Sequence, residues 1–289
     1  MMCSQCPRRC NALRTENENL NGFCKMPLLP KVARADLHFW EEPVISGEKG
    51  SGTVFFSGCS LGCVFCQNEE ISHKGKGKII SFEELADIFR ELESKGAHNI
   101  NLVNPTHYTY AILKALEIYK PSIPIVYNSG GYDTEEQLEM LADYIDIYLM
   151  DLKYLNPENA LKYSLASDYP EIAKKAIKKA ARLQPEIIIE NGIMKKGVII
   201  RHLILPSNTK SAIEVFDYVN ENLKNAYFSL MSQYIPIGKA LNMSPINRKI
   251  TDREYNKVLD YISETDFENI FIQERKSANK KYIPDFDLG

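Results

Sequence analysis

The chain has 289 residues, 44% hydrophobic and 25% charged, with a formal net charge of −3, so it offers no broad basic surface for nucleic acid or anionic lipid. Its length suits one large α/β domain with a small appendage. No uncharged run approaches the roughly 20 residues of a bilayer span, and "MMCSQCPRRCNALR" at the start lacks an apolar signal stretch, so a cytoplasmic protein without membrane contact is expected. In a reducing compartment, closely spaced thiols read as metal ligands or redox groups before disulfides, and seven cysteines is an odd number for a disulfide framework.

Four of them come first. Cys3, Cys6, Cys10 and Cys24 supply enough thiolates to close either a tetrahedral zinc or a second [4Fe–4S] cluster, and the spacing does not choose between the two. The arginines of "CPRRC" suit a negatively charged tetrathiolate site. Residues 1 to about 25 carry too little apolar content to fold alone, so metal binding would supply their folding free energy. The stretch "LHFWEEPVISGEKGSG", with the only tryptophan, Trp40, beside Glu41 and Glu42, reads as a solvated turn or as a hairpin lid. Residues 1–50 are thus taken as a Cys-rich extension and lid-like segment that docks beside whatever site follows.

From residue 51 to 274, short β-rich runs alternate with segments of helical period: "TVFFS" 53–57, "NINLVN" 99–104, "IPIVYN" 123–128, "DIYLMD" 146–151, "VIIRHLIL" 198–205, "AYFSLMSQY" 226–234 and "NIFIQE" 269–274. Between them, Ser81 with Glu84 and Thr251 with Glu254 make capping boxes, and Pro170 suits the first turn of a helix running to Leu183. The patch "KGKGK" at 74–78 reads as a flexible solvated loop, and residues 275–289 as a polar tail. Repeated βα units imply a parallel sheet with right-handed crossovers, and about six of them curl into an open or complete barrel. Chemistry collects at the carboxyl ends of such strands. There stand "GCSLGCVFCQN", "NPTHY", "NSGGY", "DLKY", "LPSN" and "QYIPIGK".

The first of these loops places Cys59, Cys63 and Cys66 within eight positions. A [4Fe–4S] cube has four irons, and three thiolates leave one iron without a protein ligand, open to substrate or cofactor. A zinc site completed by a remote residue and three unrelated buried cysteines are the competing readings; the C-x3-C-x2-C spacing after an apolar strand favours the open cluster. Gly58 and Gly62 let the loop turn tightly around a bulky group.

Cys59, Cys63 and Cys66, with the aromatic Phe65 before the last and the loop following a first strand, resemble the radical SAM superfamily. "CPRRC", "GSGTVFFSGC", "FCQN", "GAHNINLV" and "NPTHY" are similar to its branch related to pyruvate formate-lyase activating enzymes. The resemblance implies a partial (βα)6-type radical SAM barrel, α/β in class, with the small N-terminal cysteine-rich metal-binding extension outside it. It implies a [4Fe–4S] cluster with S-adenosylmethionine (SAM) on the open iron, reductive cleavage to a 5′-deoxyadenosyl radical, and a one-electron donor such as flavodoxin or ferredoxin. It also implies hydrogen abstraction from a substrate, a glycine of a partner protein in the activating enzymes. A small molecule or RNA as substrate, and a non-catalytic metal protein, are the other readings.

Residue by residue, the resemblance puts Phe65 against the adenine. It puts Asn104 and Thr106, where the family has a Gly-Gly-Glu-like end, at the methionyl amino group, and Asn128 where the activating enzymes have an aspartate. Asp151 and Lys153 match Asp-x-Lys at the cofactor's methionyl end, and Arg201 suits a carboxylate or peptide carbonyl. Asp151 and Lys153 lie two apart, so on a strand they share a face; His202 faces away as a packed outer residue. Ile235 stands where the family has a histidine.

Overall fold

The computed structural model describes residues 2–273 and residue 286. Three short strands, β1 (Met2–Cys3), β2 (Ala12–Arg14) and β3 (Asn19–Leu20), pair antiparallel in a sheet of their own. The chain continues through β4 (Lys31–His38), α1 (Pro43–Ser46), β5 (Ser51–Phe56), α2 (Glu69–Ser72), β6 (Lys78–Ile79), α3 (Phe82–Ser94) and β7 (Ile100–Val103). A 3-10 turn (Thr106–Tyr108) leads to α4 (Thr109–Ile118), β8 (Ile125–Ser129), α5 (Glu135–Met140), β9 (Ile147–Asp151), α6 (Pro157–Ser164) and α7 (Tyr169–Leu183). Then come β10 (Ile188–Glu190), β11 (Ile193–Leu203), α8 (Thr209–Asn222), β12 (Tyr227–Met231), α9 (Asp252–Ser263) and β13 (Ile270–Ile272).

One large sheet runs β13-β12-β11-β9-β8-β7-β5-β4-β6, with β10 paired to β11. Every neighbouring pair from β5 to β13 is parallel, whereas β4 joins β5 antiparallel and β6 joins β4 antiparallel. This is the expected α/β barrel fold, extended at one edge by β4 and β6. The central strands β5, β7, β8 and β9 are buried along both faces, all six residues of β5 included, because helices cover the outside and the barrel's own side chains fill the inside.

Alternation along each strand decides which residue does what. Tyr127, Tyr148, Met150, Val198 and Ile200 point out into the main core beneath the helices, whereas Val126, Ile147, Leu149 and Ile199 point in and pack with Ile45 and Met194 as a floor. Each such fully buried aliphatic side chain contributes about 1.5–3 kcal/mol. The next inward positions above the floor are Asn128, Asp151 and Arg201, and Asp151 and Arg201 stand side by side in the register. The predicted capping boxes form at Ser81 with Glu84 and at Thr251 with Glu254, and Pro170 lies in the first turn of α7.

Two expectations change. The "KGKGK" segment is tied down: Ser57 Oγ donates to the Lys76 carbonyl, Lys74 and Lys76 both pair with Glu70, and Lys78 opens β6 beside β4. Glu41 and Glu42 are not a solvated turn either, because both carboxylates reach into the barrel, as described below. Glu274 and the tail 275–289, Phe286 excepted, lie outside the described residues; Phe286 packs edge-on against Phe55, ring centres 5.4 Å apart.

Candidate active site

The three-cysteine loop leaves the end of β5 and is pinned from two sides. Gly62 and Val64 donate their N–H groups to the Ser164 and Tyr163 carbonyls at the end of α6, 3.1 and 2.9 Å away, and Gly58 donates to Ile71 of α2 at 2.9 Å. Each sulfur meets a polar group: Cys59 Sγ accepts from the Leu61 N–H at 3.3 Å, and Cys63 and Cys66 lie 3.1 Å from the hydroxyls of Ser164 and Ser72. Burial pushes the Cys66 thiol up to about 11, with Cys63 beside it adding to the effect. Cys59 is raised further, again by burial first and then by Cys63 and Cys66. Crowded, desolvated thiols such as Cys59 and Cys66 resist ionisation unless positive charge sits among them, which is what iron would supply. The donor set therefore fits a [4Fe–4S] cluster with hydroxyl and amide groups near its sulfurs.

Cys63 and Cys66 face a cavity of about 260 Å³ at the carboxyl end of the barrel, near the lower end of the roughly 300–1,000 Å³ of small-molecule sites. The loop contributes Cys63, Phe65 and Cys66, the strand ends contribute Asn128, Asp151, Lys153 and Arg201, and the segment after β4 contributes Trp40 and Glu41. Phe65 is braced edge-on by Tyr234, ring centres 5.7 Å apart.

Asp151, Lys153 and Arg201 form one charged network. Arg201 Nε donates to Asp151 Oδ1 at 2.9 Å and Lys153 Nζ pairs with Asp151 Oδ2. Burial alone would raise the Asp151 carboxyl, but Arg201 and Lys153 outweigh it and hold it below its ordinary value. Burial likewise works against the Lys153 ammonium, and Asp151 overcomes it. The cavity wall therefore keeps fixed charges of both signs at neutral pH.

The network has a member that periodicity did not reveal. Glu41 Oε2 accepts from Arg201 Nη1 at 3.1 Å, and Glu41 Oε1 accepts from Asn128 Nδ2 at 3.2 Å, while Asn128 Oδ1 accepts from Arg201 Nη2 at 2.7 Å. A carboxylate carried in from the extension thus stands beside Asn128, where the strand itself brings no charge. Glu42 follows it inward, accepting from Ser229 Oγ at 3.0 Å, and its carboxyl is raised by burial. No local sequence signal announces either residue.

Asn104 and Thr106 are placed differently from the other predicted cofactor contacts. Asn104, at φ 61°, donates from Nδ2 to the Gly58 carbonyl, and its Oδ1 is 3.5 Å from Cys59 Sγ, so it braces the cluster loop. Thr106 is buried and donates to Asp133 Oδ1 at 2.6 Å; neither side chain lines the cavity. Asp133, also missed, accepts from Tyr127 and Ser129 as well, at 2.8 and 2.6 Å, and ties the ends of β7 and β8 together. Ile235 is buried, and Gln233 is the cavity residue from that segment. His202 is buried with Nδ1 2.7 Å from the Leu152 carbonyl, a packed histidine as expected.

The four N-terminal thiols gather beside the same loop. Burial pushes Cys6 up to about 12, and Cys24, Cys3 and Cys10 all add to the effect. Arg14 Nη1 is 3.5 Å from Cys3 Sγ and Asn19 Nδ2 is 3.7 Å from Cys24 Sγ, with Arg14 and Asn19 opposite one another on β2 and β3. The junction is close: Arg8 Nε donates to the Ser60 carbonyl at 2.8 Å, and Arg14 Nη1 to the His107 carbonyl at 2.8 Å. Gly58, at φ 80°, has no room for a side chain, since a Cβ there would lie 2.2 Å from Met26 Cγ. Among the described residues, no three His, Cys, Asp or Glu are arranged to hold a single metal ion, and none of the helices is long and apolar enough to cross a membrane.

Comparison with known proteins agrees with this geometry. An uncharacterized protein of Methanocaldococcus jannaschii is 33% identical over 279 residues, 93% of this chain and 76% of that one. The pyruvate formate-lyase-activating enzyme of Listeria monocytogenes is 26% identical over 168 residues, 54% of this chain and 62% of the enzyme. The solved structure of Streptococcus suis SuiB bound to S-adenosylmethionine superposes with a TM-score of 0.53 at 18% identity, covering 75% of this chain and 48% of SuiB. Methylornithine synthase (PylB) gives 0.51 at 15% identity, over 73% of this chain and 61% of its own; both likenesses are of fold. Residues 53–219, from β5 with its three-cysteine loop through most of α8, match the radical SAM superfamily, and the chain belongs to it.

Proposed function

We propose that the chain is a radical SAM enzyme of the activating-enzyme kind, which abstracts hydrogen from a glycine of a partner protein. The observation that carries this reading is the single cavity into which Cys63, Phe65 and Cys66 project from one side and Asn128, Asp151, Lys153, Arg201 and Glu41 from the other. Bound there, the cluster and SAM supply one-electron reductive cleavage to methionine and a 5′-deoxyadenosyl radical. The protein's own residues bind and orient. Cys59, Cys63 and Cys66 hold the cluster, Phe65 offers its ring to the adenine, and the charged network meets the zwitterionic methionyl end.

Glu41 and Asp151 suit the ammonium, and Lys153 and Arg201 suit the carboxylate. Asn104 and Thr106 act from behind, by fixing the loop and the β7 end. Residues 51–274 form the barrel and residues 1–50 an extension over its mouth, in which Cys3, Cys6, Cys10 and Cys24 hold a second metal centre. A flavodoxin or ferredoxin is the electron donor.

The protein-substrate reading is supported by likeness to the activating enzyme over about half of this chain and by a fold neighbour crystallised with its precursor peptide. Trp40 at the cavity rim, 60% exposed, and Phe39 next to it in the chain, 47% exposed, offer aromatic surface for a peptide backbone. The test is reductive SAM cleavage in the presence of peptides with α-deuterated glycine. Deuterium in 5′-deoxyadenosine supports the reading; deuterium arriving only from a labelled small molecule or RNA overturns the protein substrate while keeping the chemistry.

A further inference from the structure

We infer that Tyr154 and Ser164 are positioning residues for the cluster: Tyr154 holds the Ser164 hydroxyl on Cys63 Sγ, and the two together raise the reduction potential of the cluster that Cys63 ligates. The inference rests on reading Cys59, Cys63 and Cys66 as the cluster's ligands.

The contacts form one line. Ser164 Oγ is 3.1 Å from Cys63 Sγ, and Tyr154 Oη is 3.0 Å from Ser164 Oγ. A thiolate bound to iron has no proton and can only accept, so the single hydroxyl proton of Ser164 goes to the sulfur. The Ser164 oxygen is then the acceptor for the Tyr154 O–H. Each bond polarises the next, so the tyrosine strengthens a hydrogen bond that it does not itself make.

The line is also dry. Cys63 is 9% exposed, Tyr154 2% and Ser164 0%, whereas Ser72, which faces Cys66 at the same 3.1 Å, is only partly buried. Donors to a ligating sulfur stabilise the added negative charge of a reduced cluster, and solvent that could take their place is shut out here.

The fold fixes both ends of the line. Helix α6 stops at Leu165, in a left-handed conformation at φ 55°, and the carbonyls of its last residues, Tyr163 and Ser164, take the N–H groups of Val64 and Gly62. A Cβ on Gly62 would lie 2.7 Å from Leu165 Cδ1, so the cysteine loop lies flush against the helix end. At the other end, Tyr154 follows the residues that charge the cavity wall: Lys153 turns to Asp151, and the next side chain reaches Ser164. Tyr169 braces the Tyr154 ring edge-on, ring centres 5.7 Å apart. One short segment after β9 thus serves both the charged wall and the cluster ligand. When one electron from a reduced ferredoxin or flavodoxin enters the cluster, Ser164 and Tyr154 keep their protons and no bond forms or breaks.

Potentiometric titration of anaerobically reconstituted protein tests the line, following the electron paramagnetic resonance signal that SAM shifts, before SAM is added. Ser164→Ala is expected to lower the reduced-to-oxidised ratio at a fixed potential about tenfold, a midpoint about 59 mV more negative. Tyr154→Phe, which keeps the ring, is expected to lower the ratio about twofold. In the Ser164→Ala background Tyr154→Phe should add nothing, because the tyrosine acts through the serine. A wild-type midpoint in Ser164→Ala, or a Tyr154→Phe shift that persists in full in that background, overturns the inference. Should Ser164→Ala take up no cluster, Tyr154→Phe decides alone: a more negative midpoint supports the line and an unchanged one overturns it. The same signal is expected to be lost in Cys63→Ala; its survival there would instead overturn the ligand reading on which the inference rests.

Discussion

The two cysteine sets lie against the same stretch of chain and differ in what they face. Cys63 and Cys66 open onto a cavity whose far wall is a network of fixed charges, Asp151, Lys153, Arg201 and Glu41. Cys3 and Cys24 face Arg14 and Asn19 of their own small sheet. One set has three thiols and a cavity lined by charges of both signs beside it; the other has four thiols, with an arginine and an asparagine near two of the sulfurs. The same residue type thus meets different surroundings in the two places, set apart by the number of thiols and by their neighbours.

The sharpest way to break that contrast is to remove charge from the cavity wall alone. Asp151→Asn leaves Arg201 and Lys153 without their shared carboxylate, and SAM affinity is expected to fall about 100-fold, or about 2.7 kcal/mol. Iron content should not change, and calorimetry showing wild-type affinity would remove Asp151 from the binding site. At the junction, Gly58→Ala puts a side chain into Met26 at a left-handed φ and is expected to cost about 1–3 kcal/mol of stability. Earlier protease cleavage of residues 1–25 and a lower urea midpoint are the readouts. Glu41→Gln keeps the shape of the cavity and removes the charge brought by the extension; SAM binding about tenfold weaker, or about 1.4 kcal/mol, is expected.

The smallest effect separates the regions by pH. Burial holds His107, under the junction, down to about 3 and His202, behind Asp151, down to about 4. Both fold neutral, so their contribution is whole above the unfolded value near 6.5 and is lost as pH falls from there towards the folded values. At pH 6 each should cost about 0.8 kcal/mol relative to pH 8. His202→Gln should flatten half of that slope in the urea midpoint, and an unaltered slope would mean the histidine is not neutral in the fold.

The barrel was legible because its signals are local and periodic. Ile147 to Asp151 alternates inward and outward along one strand, so spacing alone put Asp151 and Lys153 on one face; their company with Arg201 is visible only in the fold. The capping boxes at Ser81 and Thr251 are equally local, and three thiols in eight residues need no fold to be noticed. What stayed hidden is long-range. Glu41 meets Arg201 across 160 positions of sequence, and its neighbours Trp40 and Glu42 looked like a turn because a carboxylate pair reads as solvated until its cation is in view. Thr106 was assigned outward to the cofactor because Asp133, its actual acceptor 27 positions on, belongs to no motif. The lysines of "KGKGK" were read as loose for the same reason, with their anchors Ser57 and Glu70 elsewhere in the chain.

The open iron is the claim on which the rest depends, and reductive SAM cleavage by anaerobically reconstituted protein tests it most directly. With dithionite as reductant, the wild-type chain is predicted to convert SAM to 5′-deoxyadenosine and methionine, and Cys63→Ala to form neither. Cleavage that survives Cys63→Ala, or a fully loaded wild-type protein that leaves SAM intact, would contradict it.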